Sequence, residues 1–545
     1  MTEFLIANMA PIIFVSMIFF LLLGFPVAFA LAANGIVFGF IGIKLGLLGP
    51  QLFQALPDRV FGVMSNETLL AVPFFTFMGL ILERSGMAED LLDTIGQIFG
   101  PVRGGLAYAV IFVGALLAAT TGVVAASVIS MGLISLPIML RYGYDKRLAS
   151  GIIAASGTLA QIIPPSLVLI VMADQLGKSV GDMYRGAILP SIVLSGLYVG
   201  YILLISFLRP KWAPALPPEA RTFREPNGKT GGTSLLVLTA VSITTAIAFG
   251  MTRPDTMPRD ELIALCITVG IGLAFIIALI NRIFRLGLLS AMAEKVTFVL
   301  IPPLALIFLV LGTIILGIAT PTEGGAMGAT GALLMAVARK RLDGKLLRQA
   351  MDSTAKLTTF VIFILMGARV FSLTFYGVDG HMWVENLLVN LPGGQYGFLI
   401  AVNLLVFVLA FFLDYFELSF IIVPLLGPVA EKLGIDLIWF GVLLGVNMQT
   451  SFLHPPFGFS LFFLRSVAPP SVKTTDIYWG AIPFVCIQVL MVLLIILFPQ
   501  MVTSGLDKIE VIDIDSVQIE LPDTDYDTPL ESLEFNPEEI VAPAE

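Results

Sequence analysis

The sequence predicts an all-α polytopic membrane protein made of two inverted repeats, with about twelve transmembrane helices and two re-entrant hairpins. Three observations predict it. Of the 545 residues, 57% are hydrophobic and 13% charged, against about 45–50% and about 25% in a soluble globular chain. Apolar segments of spanning length recur along almost the whole chain. Two of them carry matching interruptions: Ser156-Gly-Thr-Leu-Ala-Gln-Ile-Ile-Pro-Pro-Ser and Asn447-Met-Gln-Thr-Ser-Phe-Leu-His-Pro-Pro. Proline removes a backbone donor and clashes with the preceding turn, so each stretch breaks its helix. Broken backbone at membrane depth survives only buried in protein or lining a wet cavity, and a matched pair of breaks points to a transport site.

The spans fall near 5–23, 26–43, 67–83, 148–172, 186–207, 235–250, 262–281, 298–316, 321–338, 357–375, 437–464 and 478–498. Runs 106–140 and 397–426 differ. Each holds two short apolar arms around a polar middle, Thr120-Thr121-Gly122 or Asp414-Tyr-Phe-Glu417. Neither has the hydrophilic loop that separates two full spans, so both are read as hairpins that enter and leave on one face. Segments Ser85–Arg103 and Tyr376–Gln395 mix charge with apolar residues and read either as arms lying along the membrane surface or as ordinary loop helices.

The halves echo each other around the breaks. Gly181-Asp-Met-Tyr-Arg-Gly-Ala-Ile-Leu-Pro answers Thr475-Asp-Ile-Tyr-Trp-Gly-Ala-Ile-Pro. Corresponding loops differ in charge: Arg141–Arg147 holds three bases, Gly427–Asp436 one base and two acids. An inverted repeat predicts this, because one structural loop lies on opposite faces in the two halves. The resulting division is 1–208 for the first repeat, 209–296 for a loop with two extra spans, 297–500 for the second repeat and 501–545 for an acidic, disordered tail. Its proline and acid content favour disorder there; contact with a periplasmic partner is the alternative. Thirteen acidic residues after Ser504 face one lysine, so the net charge of −9 reflects the tail in large part.

Four basic clusters orient the chain: Arg141–Arg147, Arg209–Lys229, Arg282–Lys295 and Arg339–Arg348. The positive-inside rule places them in the cytoplasm, which leaves both termini periplasmic. The first apolar run lacks a basic leader, so no cleavable signal peptide is expected. No basic surface suits nucleic acid; the lipid bilayer is the expected surrounding. Cys266 and Cys486 lie in apolar runs and read as packing residues. Phosphate-cradling glycine loops, H-E-x-x-H and G-x-S-x-G are absent from the sequence, so ATP-driven transport and membrane hydrolysis lose their usual signatures.

Candidate chemistry gathers at the hairpin tips and breaks. Helix C-termini and unwound carbonyls suit a small cation such as sodium, and bare N-terminal N–H groups suit a carboxylate. The candidate ion-binding residues are Thr120, Thr121, Gly122, Gly157, Thr158 and Pro164 in the first half, with Asp414, Asn447, Gln449 and Thr450 in the second. Candidates for substrate or coupling are Pro165, Ser166, Arg369, Glu417, Pro455 and Pro456. An ionisable group inside a span is costly and therefore functional by default. Asp414 and Glu417, three apart, are expected on one face of a helix. Arg369 is expected to pair with one of them or to meet an anionic substrate. Glu323, at the head of a glycine-rich helix, reads as a structural acid at a helix N-terminus. His454 reads as a hydrogen-bonded packing residue.

These residues resemble the large membrane subunit of tripartite ATP-independent periplasmic (TRAP) transporters. The resemblance rests on Gly157-Thr-Leu-Ala-Gln-Ile-Ile-Pro-Pro-Ser, Ala118-Ala-Thr-Thr-Gly-Val-Val-Ala-Ala-Ser and Gly317-Ile-Ala-Thr-Pro-Thr-Glu-Gly-Gly-Ala. It implies a sodium-coupled importer of organic acids in the bacterial inner membrane, without a cofactor beyond the coupling ions. It also implies two partners, a small four-helix membrane subunit and a periplasmic solute-binding protein. The implied mechanism is of elevator type, with sodium held where each hairpin tip meets its broken helix. The Ser-Phe-Leu-His-Pro-Pro spelling of the second break, the long 209–296 segment and the acidic tail depart from the family's usual pattern. A single-component secondary transporter, an ion channel and a membrane enzyme are the rival readings.

Overall fold

Every predicted span coincides with a helix or a broken helix. The computed structural model describes residues 2–220, 231–253 and 257–506, and among them every regular element is a helix. The side chains of Thr120 and Thr121, most of the predicted tail and the 221–230 part of the basic loop lie outside the described residues. Eight described helices are long and apolar enough to cross a bilayer, and counting each sharply bent pair as one span raises this to ten. Shorter helices such as Met9–Leu22 and Leu167–Leu176 are apolar too.

The same order of elements runs twice. Met9–Leu22, Val27–Lys44 and Ala71–Arg84 lead into the arm Met87–Phe99, then the hairpin Gly105–Thr121/Val124–Arg141. The first broken helix, Lys146–Thr158 and Leu167–Leu176, follows, and Val180–Leu208 closes the series. In the second half Ala291–Ile315, Pro321–Ala338 and Gly344–Gly377 precede the arm Gly380–Val389. The second hairpin is Gly394–Leu409 with a return through Tyr415–Ile421 and Val423–Lys432. The second broken helix is Leu437–Met448 and Phe459–Val467, and Thr474–Leu497 closes the series. Between the halves, Gly232–Met251 and Arg259–Phe284 pack on each other and on Ala291–Ile315. Their outer faces carry exposed apolar side chains such as Leu236 and Met251, as a lipid-facing helix does.

The halves interlock by exchange. Val27–Lys44 of the first packs on Gly344–Gly377 of the second, and Pro321–Ala338 of the second packs on Ala71–Arg84 of the first. Glycine makes the first crossing possible. A Cβ at Gly35 would stand 2.7 Å from the Val370 carbonyl, and one at Gly367 2.4 Å from that of Ala28. Thr374 Oγ1 donates to the Gly35 carbonyl at 2.7 Å, fastening the contact. Small residues let helix backbones approach where lipid supplies no hydrophobic drive. Glu323 is the structural acid predicted: with Thr320 it forms a reciprocal capping box at the head of Pro321–Ala338, satisfying otherwise bare N–H groups.

The arms are tied down by charge. Asp90, on the first arm, meets Arg339 at 3.1 Å and Arg341 at 2.9 Å, while Asp93 meets Lys295 at 2.9 Å. Glu385, on the second arm, pairs with Lys432 of the second hairpin. Three of these partners belong to the predicted basic clusters, so one end of the Gly344–Gly377 helix lies at the positively charged face.

Candidate functional site

Each hairpin's return arm is wedged between the first half of its own repeat's broken helix and the second half of the other's. Val124–Arg141 presses Val128 against Gly157, where a Cβ would be 2.3 Å from Val128 Cγ2. It also faces Phe459–Val467, since a Cβ at Gly132 would be 2.7 Å from Val467 Cγ2. Tyr415–Ile421 does the same in the second half, with Ser419 Oγ 3.5 Å from Met172 Sδ and 3.7 Å from Met448 Sδ. The two tips and the two breaks therefore meet at the centre of the exchange.

The first tip closes with Gly122 in the left-handed region, φ +58°, its N–H donating to the Ala118 carbonyl at 3.1 Å. A Cβ there would sit 3.1 Å from Leu167 Cγ, so glycine is needed both for the turn and for the approach to the break. The break spans Ile162–Ser166, with a cis peptide between Pro164 and Pro165. Ser166 caps the second half: its hydroxyl accepts from the Val168 N–H at 3.1 Å and donates to the Gln161 carbonyl at 2.6 Å. Thr158 Oγ1 donates to the Ala155 carbonyl at 2.8 Å and accepts from Gln488 Nε2 at 3.3 Å. Gln488 Nε2 also donates to the Tyr198 hydroxyl at 3.1 Å. The hydroxyls of Thr158 and Ser166 are thus engaged, and what these positions offer a ligand is backbone carbonyl. Gln161 is different. It is buried, and among the described residues its Oε1 has no partner.

The second break spans Leu453–Gly458, with a cis peptide between Pro455 and Pro456. The Tyr478 hydroxyl donates to the Pro456 carbonyl at 3.3 Å. Asn447 Nδ2 donates to both the backbone carbonyl and Oδ1 of Asn403, at 2.8 and 3.0 Å. Thr450 Oγ1 donates to the Asn447 carbonyl at 2.6 Å. Gln449 is fully buried with both amide atoms unpartnered among the described residues. An unpaired buried amide costs about 1–3 kcal/mol, so a site of this kind is suited to water or an ion. His454 packs between Phe407 and Phe411, ring centroids 4.3 and 4.2 Å away. Neither ring nitrogen has a partner among the described residues. The packing expected of it is present, and the expected hydrogen bond is not.

Two expectations are corrected by the geometry. Asp414 and Glu417 do not share a helix face. Asp414 is the N-cap, in extended backbone, and its Oδ1 accepts from the Glu417 N–H at 2.9 Å. Glu417 Oε2 accepts from the Asp414 N–H at 2.8 Å. The three-residue spacing that places two side chains on one face inside a helix makes a capping box at its start. Nor does Arg369 pair with either acid. Asp414 lines one cavity, and Arg369 lines another.

The cavity at Asp414 has a volume of about 250 Å³. Its wall includes Gly122 to Ala125 of the first tip, Asp414 to Phe416 of the second, Gln161, Leu167 and Val168 at the first break, and Phe452 and Phe459 at the second. Both hairpins and both breaks contribute. Sequence reasoning missed Gln161 as a candidate, although it stands inside the interrupted stretch. It also missed Asn403 and Gln488, whose signal was a lone amide within an apolar run.

Paired broken helices and hairpin tips around one cavity, with apolar helices of spanning length and only helices among the described residues, define a multi-pass membrane transport protein. The model of the tripartite ATP-independent periplasmic transporter, DctM component, matches residues 14–501. The chain belongs to this family of TRAP large permeases, which move solutes rather than transform them. It is 26% identical over 455 residues to the C4-dicarboxylate TRAP transporter large permease protein DctM of Pseudomonas aeruginosa, covering 83% of this chain and 89% of that one. Its namesake from Vibrio cholerae is 25% identical over 90% of this chain and 95% of its own length. The 2,3-diketo-L-gulonate TRAP transporter large permease protein YiaN of Escherichia coli is 23% identical over 88% and 95%. Among solved structures, the YdaH transporter of Alcanivorax borkumensis aligns with a TM-score of 0.49 and 14% identity, over 82% of this chain and 88% of that one.

Proposed function

We propose that this permease imports an organic acid, as its carboxylate, across the bacterial inner membrane in symport with sodium. A small four-helix membrane subunit and a periplasmic solute-binding protein complete the transporter. The observation that carries the reading is the cavity of about 250 Å³ that both hairpin tips and both breaks enclose. A carboxylate there is close to the starts of Val124–Arg141 and Phe459–Val467, which carry no side-chain cap and whose N–H groups favour an anion. Sodium is a hard cation and takes oxygen ligands. The unpartnered Oε1 atoms of Gln161 and Gln449 and the carbonyls freed at the breaks are that kind of donor. The relatives named for C4-dicarboxylates and 2,3-diketo-L-gulonate support the solute class.

In this reading the repeats are 1–208 and 297–500, joined by 209–296. The hairpins and broken helices travel as one body against the exchanged helix pairs. Bound ion and solute lower the cost of moving the charged Asp414 region through the membrane, and that coupling makes uptake follow the sodium gradient. The experiment is uptake by proteoliposomes holding this chain, the small subunit and the binding protein. Uptake should collapse when the sodium gradient is dissipated. Sodium-independent uptake would remove the coupling, and full-rate uptake by this chain alone would remove the tripartite assembly.

A further inference from the structure

A second cavity, of about 340 Å³, is lined by two arginines, Arg59 and Arg369. Arg59 comes from the short helix Leu56–Met64 and Arg369 from Gly344–Gly377, which pack on each other. Phe420 and Pro424 of the second hairpin, Gln175 of the first broken helix and Tyr376 also line the cavity. Among the described residues neither guanidinium lies within 4 Å of a carboxylate. The nearby acid on the broken helix, Asp174, is engaged by the amides of Asn66 and Gln175, each at 2.7 Å. Arg369 stands inside an apolar run, where an unpaired charge is costly and marks a site.

The position of this cavity links it to the central one. Tyr415 and Phe416 line the central cavity and Phe420 and Pro424 the second, on the same return arm. Leu167 and Val168 line the central cavity and Gln175 the second, on the same half-helix. At 1.5 Å per residue the two cavities are roughly 10 Å apart along these neighbouring helices. Arg369 is roughly 38 Å along its helix from Gly344, away from the basic end that Arg339 and Arg341 occupy. By the positive-inside rule that far end is periplasmic.

We infer that the Arg59–Arg369 cavity is a carboxylate-binding vestibule on the periplasmic side, holding the solute's acid group before it passes to the central cavity. Guanidinium forks match a carboxylate by paired hydrogen bonds; the Gln175 amide, which spends one N–H on Asp174, keeps a second, while the Tyr376 hydroxyl donates to the Pro424 carbonyl at 3.3 Å. The walls come from both groups of helices that the elevator reading moves against each other. Occupancy therefore favours the arrangement in which those walls face each other. The inference rests on the organic-acid reading for its ligand class.

The test uses the full chain with Cys266 and Cys486, both free thiols, replaced by alanine and Ser372→Cys as reporter. Succinate or acetate at about 50 mM, well above a millimolar Kd, should slow N-ethylmaleimide labelling at least about threefold relative to chloride of equal ionic strength. Arg369→Gln should abolish the protection, Arg369→Lys should keep part of it, and Arg59→Gln, on an exposed helix, should weaken it. Equal protection by chloride, or protection that survives Arg369→Gln, overturns the inference. So does protection by anionic lipid vesicles without added carboxylate, which would assign the arginines to headgroups. Protection without sodium-driven uptake would sink the transport reading and leave the vestibule standing; uptake without protection would do the reverse.

Discussion

The hydroxyl of Tyr415 donates to the backbone carbonyl of Leu167 at 3.1 Å, across 248 residues of sequence. Tyr415 is the first helical residue after the second hairpin tip, and Leu167 the first after the opposite repeat's break. One hydrogen bond therefore fastens the tip of one repeat to the break of the other. Gly122 against Leu167 does the corresponding work by contact on the first tip. The first break is thus held by both hairpins, and the cavity beside it has a wall that cannot form from one repeat alone.

Tyr415→Phe keeps the ring and removes the bond. Interhelical hydrogen bonds in membranes contribute about 0.6 kcal/mol on average and rarely above about 1.7. The variant should fold, lose about that much stability in a thermal unfolding assay and show slowed uptake with unaltered expression. Wild-type uptake would separate the bond from transport.

The Asn447–Asn403 pair makes a sharper case. Asn403 Nδ2 passes the chain on to the Leu399 carbonyl at 2.8 Å, so the first arm of the hairpin orients the residue before the break. Asn403→Ala should raise the half-saturating sodium concentration for uptake about as much as Asn447→Ala does, by at least about threefold, with the double variant no worse than either alone. A sodium titration that leaves Asn403→Ala at the wild-type value would make the pair purely structural.

Asn403 also shows where sequence reading stops. The breaks were legible because proline and polar residues interrupt an apolar run locally, and the hairpins because two short arms flank a polar tip. Their partners were not. Asn403 to Asn447, Gln488 to Thr158 and Tyr415 to Leu167 join positions 44, 330 and 248 residues apart, and no local period records such a meeting. The placement of Asp414 and Glu417 on one helix face was misread for a related reason. A three-residue spacing means one face inside a helix and a capping box at its first turn, and the sequence alone does not fix where that helix begins. Arg369 was legible as a charge inside a span, yet its neighbour Arg59 lies on a separate helix about 310 positions earlier in the chain.

Glycines at the crossing of the first broken helix allow a contrast of direct consequence. A Cβ at Gly151 would stand 2.0 Å from the Gly480 carbonyl oxygen, a backbone atom that cannot swing aside. Gly151→Ala should separate Lys146–Thr158 from Thr474–Leu497 and destabilise the protein by more than about 2 kcal/mol, or prevent its accumulation. Gly62, in the exposed helix Leu56–Met64, meets nothing within 4 Å. Gly62→Ala should be neutral or stabilising by about 0.5–1 kcal/mol through helix propensity. Thermal unfolding of the two variants in one detergent reads both outcomes.

The expected orientation rests on the basic loops. Arg141, Lys146 and Arg147 flank the start of the first broken helix, and Arg339 and Arg341 lie at the start of the long Gly344–Gly377 helix. Single cysteines placed at Met1 and after Ser504 should react with an impermeant maleimide from the periplasm, and one at Lys340 should not. Labelling of the termini from the cytoplasm alone would invert the topology, and with it the side on which Arg59 and Arg369 open.

Asp414 has two separable properties, an oxygen that caps a helix and a negative charge. Asparagine retains the first and loses the second, since it caps about as well as aspartate. Asp414→Asn should therefore stay within about 0.5 kcal/mol of wild-type stability, whereas Asp414→Ala should lose about 1 kcal/mol. Asp414 lines the central cavity, so if its charge compensates a bound cation, Asp414→Asn should cut sodium-driven uptake at least about tenfold, a transition-state cost of about 1.4 kcal/mol. Uptake by Asp414→Asn at the wild-type rate, with Asp414→Ala impaired, would reduce the residue to a cap. Glu417→Gln supplies the control. Its side chain accepts from the Asp414 N–H at 2.8 Å, a role glutamine fills in the same box. It is not among the residues lining the central cavity, so a smaller loss than for Asp414→Asn is expected. Equal losses would place the required charge on the pair rather than on Asp414.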